Sequence, residues 1–369
     1  MHNGLLGTKK TADHMKEKLT RQASSRALPT VSSISKLAGF SPSTVSRALK
    51  GDARISEKTR ATIAAIAQEQ GYAPNAYARS LVTQSSGLVG IVLDRLANPF
   101  YGELAEHLHK RLVEIGKYPM ILRFDEGALE TEEDVIQPIL QYRMDGCIIA
   151  SASLTSRVAE ACARHRLPMV MINRVARAHS CAVSCNNYRG GIMVGELLVE
   201  AGHMRIAYVS GRQDTSTSED RESGLRHALQ KVGREPLGVV RGHYTYDGGY
   251  AAGRELLSRR KRPDAIFAAN DITALGVIDA ARNLGLSVPN DVSIVGFDDI
   301  QAARWHSYRL TTVAQPVDAM ITRALALLAE RMHNPELEGE DISIQGELRI
   351  RSSARLPTHM TATPLSGLE

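Results

Sequence analysis

Three short stretches of helical apolar periodicity between Thr30 and Pro74, each with its own start and stop signal, constrain this chain more than any other feature. In the first, Ile34, Leu37 and Ala38 fall at i, i+3 and i+4, and Gly39 supplies a left-handed stop barely two turns on. Ser41 then sets a capping hydroxyl before Pro42, whose fixed φ suits the first helical position, and Val45, Ala48 and Leu49 share the inward face. Ser56 and Glu57 open a third helix with Ile63, Ile66 and Ala67 inward, closed by Gly71 and Pro74. Helices this short are not stable alone and must pack on one another. Three of them with a tight turn after the first describe a helix-turn-helix. Its second helix turns Ser43, Thr44, Ser46 and Arg47 outward, a set that suits base edges and phosphates but equally suits a solvated face.

Charge favours the first of these readings. The net charge is +5 over 369 residues, yet residues 1–86 hold 13 Lys or Arg against 5 Asp or Glu, while the remainder holds 32 against 35. A basic front joined to a near-neutral body is the pattern of a nucleic-acid-binding module on a separate domain. Residues 1–29 lack apolar periodicity and read as a disordered basic arm, or as sequence upstream of a start at Met15. Lys9, Lys10, Lys16 and Lys18 have no apolar segment behind them, and no apolar run approaches the roughly 18 residues of a membrane span, so the expected compartment is the cytoplasm. Cys147, Cys162, Cys181 and Cys185 show no metal-ligand spacing and read as core thiols.

The run Ser41-Pro42-Ser43-Thr44-Val45-Ser46-Arg47-Ala48-Leu49, then Ile55-Ser56-Glu57-Lys58-Thr59-Arg60, then Gly71-Tyr72-Ala73-Pro74-Asn75 and Ala78-Arg79-Ser80-Leu81, resembles the LacI/GalR family of bacterial transcriptional regulators in order and spacing. The resemblance continues to about Arg355. It departs at Ser33-Ile34-Ser35, where the family usually has Asp-Val-Ala, one capping side chain replacing another. It implies DNA contacts from Thr30, Ser41, Ser43, Thr44, Ser46 and Arg47, and from Asn75, Arg79, Ser80 and Leu81 in and before a hinge helix that folds on operator DNA. Leu81 matches the family leucine that wedges into the minor groove. From the residues alone, 76–86 is a linker.

From Leu88 onward short apolar runs alternate with amphipathic helical patterns, as in βαβ units with a parallel sheet. Strand candidates are Leu88–Leu93, Cys147–Ala150, Met169–Ile172, Ile206–Val209, Ala265–Ala268 and Val292–Phe297, with helices such as Leu104–Ile115 and Leu275–Leu284 between them. The face of Leu104, Leu108, Leu112 and Ile115 is a core or dimer contact, with core the preferred reading. The fold class is therefore α followed by α/β: a helix-turn-helix domain over 30–75, a hinge and linker over 76–86, a two-lobed body of doubly wound parallel sheets over 87–355, and a tail over 356–369. The resemblance implies a periplasmic-binding-protein-like body in which the chain crosses between lobes near Asn173–Val175, near Gln315-Pro316 and before Gln345.

Polar residues concentrate at the strand ends, where ligands of such folds bind. Asn and Asp also end strands and cap helices for purely local reasons. The resemblance points to Phe100 and Tyr101 as first-lobe aromatic contacts, Arg174 and Arg221 as effector arginines, Tyr244 as a stacking ring, Asn270 as a second-lobe amide and Asp298 as the effector-binding acid. Such a set suits a sugar, a sugar acid or a nucleoside. Gly190-Gly191 and Gly248-Gly249 do not form a dinucleotide fingerprint, no nucleotide-binding, zinc-protease or serine-hydrolase motif occurs, and His107 and His109 read as surface residues that cannot act together. The expectation is a non-enzymatic, cofactor-free, ligand-responsive repressor that binds a pseudo-palindromic operator as a homodimer or higher oligomer. The alternative is a small-molecule-binding or sugar-processing protein with an incidental basic N-terminus.

Overall fold

The computed structural model describes residues 29–73, 85–93, 97–123, 132–150, 155–173, 181–212, 215–334, 337 and 339–359. They fall into two units that divide between residues 83 and 84, inside the stretch expected as linker. The expectations for residues 1–28, for Asn75, Arg79, Ser80 and Leu81, for Arg174 and for 360–369 lie outside the described residues.

The smaller unit holds α1 (Val31–Ala38), α2 (Pro42–Leu49) and α3 (Glu57–Glu69). Thr30 and Ser33 cap α1 reciprocally: Thr30 Oγ1 accepts from the Ser33 N–H at 3.2 Å and Ser33 Oγ accepts from the Thr30 N–H at 2.7 Å, two hydroxyls doing the work usually shared with a carboxylate. Gly39 ends the helix at φ 70°. Ile34, Val45, Ala48 and Ile63 form the core, with Leu49, Ile55, Ile66 and Tyr72 packed at its edge. Leu37 departs from the sequence expectation and is 58% exposed. The buried arc of α1 runs from Ile34 past Ala38 to Ser35, which leaves Leu37 roughly 110° from its centre. Ser35 occupies the inward place instead, and its hydroxyl donates to the Phe40 carbonyl at 2.6 Å, closing the turn into α2.

The larger unit begins with β1 (Leu88–Leu93), α4 (Pro99–Glu114), β2 (Tyr118–Arg123), α5 (Glu132–Gln141), β3 (Gly146–Ala150), α6 (Thr155–Arg164), β4 (Met169–Ile172) and β5 (Ala182–Cys185). It continues through α7 (Asn187–Glu200), β6 (Ile206–Ser210), α8 (Ser216–Gln230), β7 (Val239–Arg241), α9 (Tyr246–Leu257), β8 (Ala265–Ala268), α10 (Asp271–Asn283), β9 (Ser293–Asp298) and a 3-10 helix, Gln301–Arg304. It ends with β10 (Thr311–Ala314), α11 (Val317–His333), β11 (Asp341–Ile344) and β12 (Glu347–Arg349). Two six-stranded sheets result, ordered β11-β5-β4-β3-β1-β2 and β12-β10-β9-β8-β6-β7. The described pairings are parallel except β12 against β10. β3, β4 and β8 are buried throughout, which is why they read as unbroken apolar runs. Edge strand β2 has no buried residue, and its run Tyr118-Pro119-Met120-Ile121-Leu122 was not among the strands expected from sequence.

The first crossing between lobes is corrected by β5. The chain does not leave the first sheet near Asn173–Val175, because β5 still pairs with β4 (Met171↔Ala182, Ile172↔Val183). It leaves after Cys185, and the second and third crossings fall at Gln315-Pro316 and Gln345 as expected. Leu104, Leu108 and Leu112 are core, whereas Ile115, just past the last turn of α4, is 59% exposed. All four cysteines are buried and free. Among the described residues, no helix is long and apolar enough to cross a membrane.

Candidate functional site

In the smaller unit, Ser41 Oγ accepts from the Thr44 N–H at 3.2 Å and also pairs with Ser43 Oγ at 2.8 Å and Thr44 Oγ1 at 2.9 Å. The hydroxyls thus stiffen the first turn of α2, and Thr30 is likewise committed to its own cap. Ser43 and Arg47 are exposed, Thr44 and Ser46 half-buried. The four outward residues therefore share one face of α2, opposite Val45 and Ala48. The Arg47 carbonyl accepts from the Lys50 and Asp52 N–H groups, while its guanidinium makes no hydrogen bond among the described residues and leaves a fork open on that face. Beyond α2, Arg54 is clamped by Asp52 through Nη2 at 2.6 Å and Nε at 3.0 Å, and these bonds hold the Asp52 carboxyl well below the usual range.

In the larger unit, Phe100, Glu103 and His107 of α4 face Asp298, Asp299 and Arg304 of the second lobe across a cavity of about 460 Å³, which Gln315, Asp318 and Arg349 also line. Asp298, at the end of β9, has φ 129° and Asp299 has φ 60°, a strained turn for two residues with side chains. Asp298 Oδ1 accepts from Gln315 Nε2 at 2.7 Å, and Arg221 Nη2 lies 3.8 Å behind it. Asp299 is paired with Arg304 at 3.0 Å and with Arg351 at 2.5 Å.

Arg221 does not present an open fork. Only 2% exposed, it donates from Nε to Asn187 Oδ1 at 2.9 Å and from Nη1 to the Ala269 carbonyl at 2.5 Å, and its guanidinium lies 3.6 Å over the Phe297 ring. The glycine pair Gly190-Gly191 makes this possible. A Cβ on Gly191 would stand 2.2 Å from the Arg221 carbonyl, and one on Gly190 would stand 2.5 Å from the Phe297 ring, so only glycines let α7 approach this closely. Asn270 is buried as the cap of α10, its Oδ1 accepting from the Thr273 N–H at 3.3 Å. Beside it Asp271 accepts from Thr312 Oγ1 at 2.5 Å and from the Ile300 N–H at 3.0 Å. Burial, and then the charge of Asp298, push the Asp271 carboxyl up to about 8.

Tyr101 is buried edge-on against Phe100, with ring centroids 5.4 Å apart, and is not among the residues lining the cavity. Tyr244, at φ 59°, is also off that wall: it is set into the second lobe against Gly211, its hydroxyl 3.0 Å from Thr217 Oγ1. His107 is exposed, as expected, and from there lines the cleft and meets Asp318 through Nδ1 at 3.0 Å. Three buried atoms at or near strand ends and the second crossing have no hydrogen-bond partner among the described residues: Asn173 Oδ1, Asn270 Nδ2 and Gln315 Oε1. Polar atoms left this way cost free energy unless something donates to or accepts from them.

Residues 30–75 match the family described as bacterial regulatory proteins, lacI family, and residues 196–354 match the periplasmic binding protein-like domain. The ribose operon repressor of Escherichia coli (strain K12) is 32% identical over 331 residues, which span 89% of this chain and 100% of that protein. The chain belongs to the LacI family. Among solved structures, the lac repressor dimer bound to operator and the anti-inducer ONPF shares the fold, with TM-score 0.79 and 23% identity over 89% of this chain and 99% of its own. A LacI family transcriptional regulator from Enterococcus faecium with bound ribose has TM-score 0.65 and 26% identity over 73% and 99%.

Gln315, Asn187 and Glu103 were not singled out from sequence as site residues, whereas Asp271 stood beside Asn270 among the polar residues at strand ends. Gln315 carried a signal, since it stood at an expected crossing between lobes. Asn187 and Glu103 carried none, because Asn187 sits in the first turn of α7, where Asn is common, and Glu103 is one charged residue on an amphipathic helix.

Proposed function

We propose that the chain is a ligand-responsive DNA-binding repressor that acts as a dimer on a pseudo-palindromic operator and senses a small hydroxyl-rich metabolite in the cleft of the larger unit. Residues 30–75 read DNA through Ser43, Thr44, Ser46 and Arg47, with Arg79, Ser80 and Leu81 in the hinge of 76–86, and residues 87–355 form the body. Two-fold pairing follows from reach, since one short recognition helix covers only a few base pairs. Family membership supports regulation over enzymatic activity, and the names of the ribose repressor and of the ribose-bound relative support a sugar.

The observation that carries the effector reading is the acceptor pair at the second crossing. Asp298 can only accept, and Gln315 Oε1 is buried with no donor to it among the described residues, so the wall calls for a ligand with adjacent O–H groups. Arg221 is already spent on Asn187, Ala269 and Phe297, which favours an uncharged polyol over a sugar acid. The test is a thermal-shift panel of sugars, sugar acids and nucleosides on the full chain, with operator gel shifts on the same sample. Stabilisation by a neutral sugar that also alters the gel shift is expected. Stabilisation by anions alone, or no retention on DNA, would overturn the reading.

A further inference from the structure

Glu103 is placed on the first-lobe wall, yet it reaches the second lobe. It lies one turn before His107 on α4, so both face the cleft. Its Oε1 accepts from the backbone N–H of Gln301 at 2.8 Å. Gln301 opens the 3-10 helix, whose own N-cap residue, Ile300, provides no side-chain cap. The free N–H at that helix start is therefore satisfied from the opposite lobe. At its other end Arg304 lines the same cleft and bonds Asp299. Gln301 follows Asp298 by three residues, through the turn in which Asp298 and Asp299 both hold positive φ, so a ligand drawn onto Asp298 acts on the bonded N–H through backbone with little slack. The second carboxylate oxygen of Glu103 is given no hydrogen bond among the described residues, and the side chain is half-buried in the cavity wall.

We propose that Glu103 is both a latch between the lobes and a first-lobe effector contact: Oε1 holds the 3-10 helix of the second lobe, and the other oxygen accepts a hydroxyl of a ligand whose far end is held by Asp298. The inference rests on the cleft being the effector pocket. Carboxylates from opposite lobes, bridged by one polyol, draw the lobes together, whereas an anionic group set between Glu103 and Asp298 meets like charge from both, with Arg304 already paired to Asp299. The latch keeps the ligand-free cleft partly preorganised, which raises apparent affinity by raising the fraction of competent protein.

The two roles separate by substitution. Glu103→Gln keeps an oxygen for the Gln301 N–H but replaces the ligand-facing acceptor with a donor, while Glu103→Ala removes both. On the full chain without ligand, hydrogen exchange of the peptide carrying the Gln301 amide should be slow in wild type and Glu103→Gln and at least about tenfold faster in Glu103→Ala. Trp305, the one tryptophan of the sequence, directly follows the 3-10 helix and is 56% exposed, so its fluorescence quenching reports the same release. Titration with D-ribose and with ribose 5-phosphate should give a wild type favouring ribose at least about tenfold, and a Glu103→Gln protein with slow exchange but roughly tenfold weaker ribose binding. Unchanged exchange in Glu103→Ala rejects the latch. Wild-type ribose affinity in Glu103→Gln, equal affinity of wild type for the phosphate ester, or binding of neither sugar rejects the contact. Operator gel shifts on the same wild-type sample report separately on the regulator reading, which stands or falls without reference to Glu103.

Discussion

Replacing Arg221 with methionine isolates what the buried guanidinium contributes. Methionine keeps the apolar stem to about the position of Nε but removes the guanidinium over Phe297 and its donors to Asn187 Oδ1 and the Ala269 carbonyl, and it leaves Asp298, 6% exposed, without the cation 3.8 Å away. Removing one member of a buried ion pair costs about 3–5 kcal/mol, because the remaining charge stays desolvated. Two buried acceptors left without donors fall within the same loss, since Gln315 and the cleft partly solvate Asp298. For a unit of this size a loss of about 4 kcal/mol lowers Tm by roughly 10 °C. Thermal unfolding followed by circular dichroism gives the single-mutant figure. The sharper assay is the cycle with Asp298→Asn, which discharges the orphaned acid. The double mutant should recover roughly 1–3 kcal/mol of the sum of the single losses. Losses that add to within about 0.5 kcal/mol would refute the pairing, and a single loss under about 1 kcal/mol would refute the burial argument.

Arg47→Ala should weaken operator binding by about 1–3 kcal/mol without changing the melting of the larger unit, as read by gel shift and calorimetry. His203, fully buried, accepts from Arg355 Nη2 at 2.9 Å, and burial followed by that guanidinium pushes it down to about 4. Its folded pKa lies below the unfolded value, so stability should fall as pH drops from about 6.5 towards 4, and His203→Gln should remove that limb from a pH series of unfolding midpoints. Asp271 acts in the opposite sense. Its folded pKa of about 8 exceeds that of the unfolded carboxyl, so its contribution declines as pH rises from about 4 to about 8, and Asp271→Asn should flatten the neutral side of the same series.

Sequence alone determined the parts whose causes lie within a turn or two. Thr30, Ser41 and Ser56 cap the helices they precede, Gly39 ends α1 at φ 70°, and the apolar runs of β1, β4 and β8 have the bounds the structure gives them. Capping, left-handed stops and continuous burial are local requirements, and local residues state them. The family resemblance likewise pointed to Phe100 and Asp298, which line the cavity, and to Arg221, which lies 3.8 Å from Asp298. Only the tertiary structure decided what those side chains do there. Arg221 is a buried strut because Asn187, 34 residues away, and Ala269, 48 away, converge on it, and Glu103 spans the cleft because Gln301, 198 residues on, brings an uncapped N–H opposite. Leu37 turned outward for a related reason: on a helix of eight residues, neighbouring helices choose which arc is buried. A side chain's identity limits which bonds it can make, but burial and the partners brought by distant segments select which bonds form, and those depend on how the lobes pack.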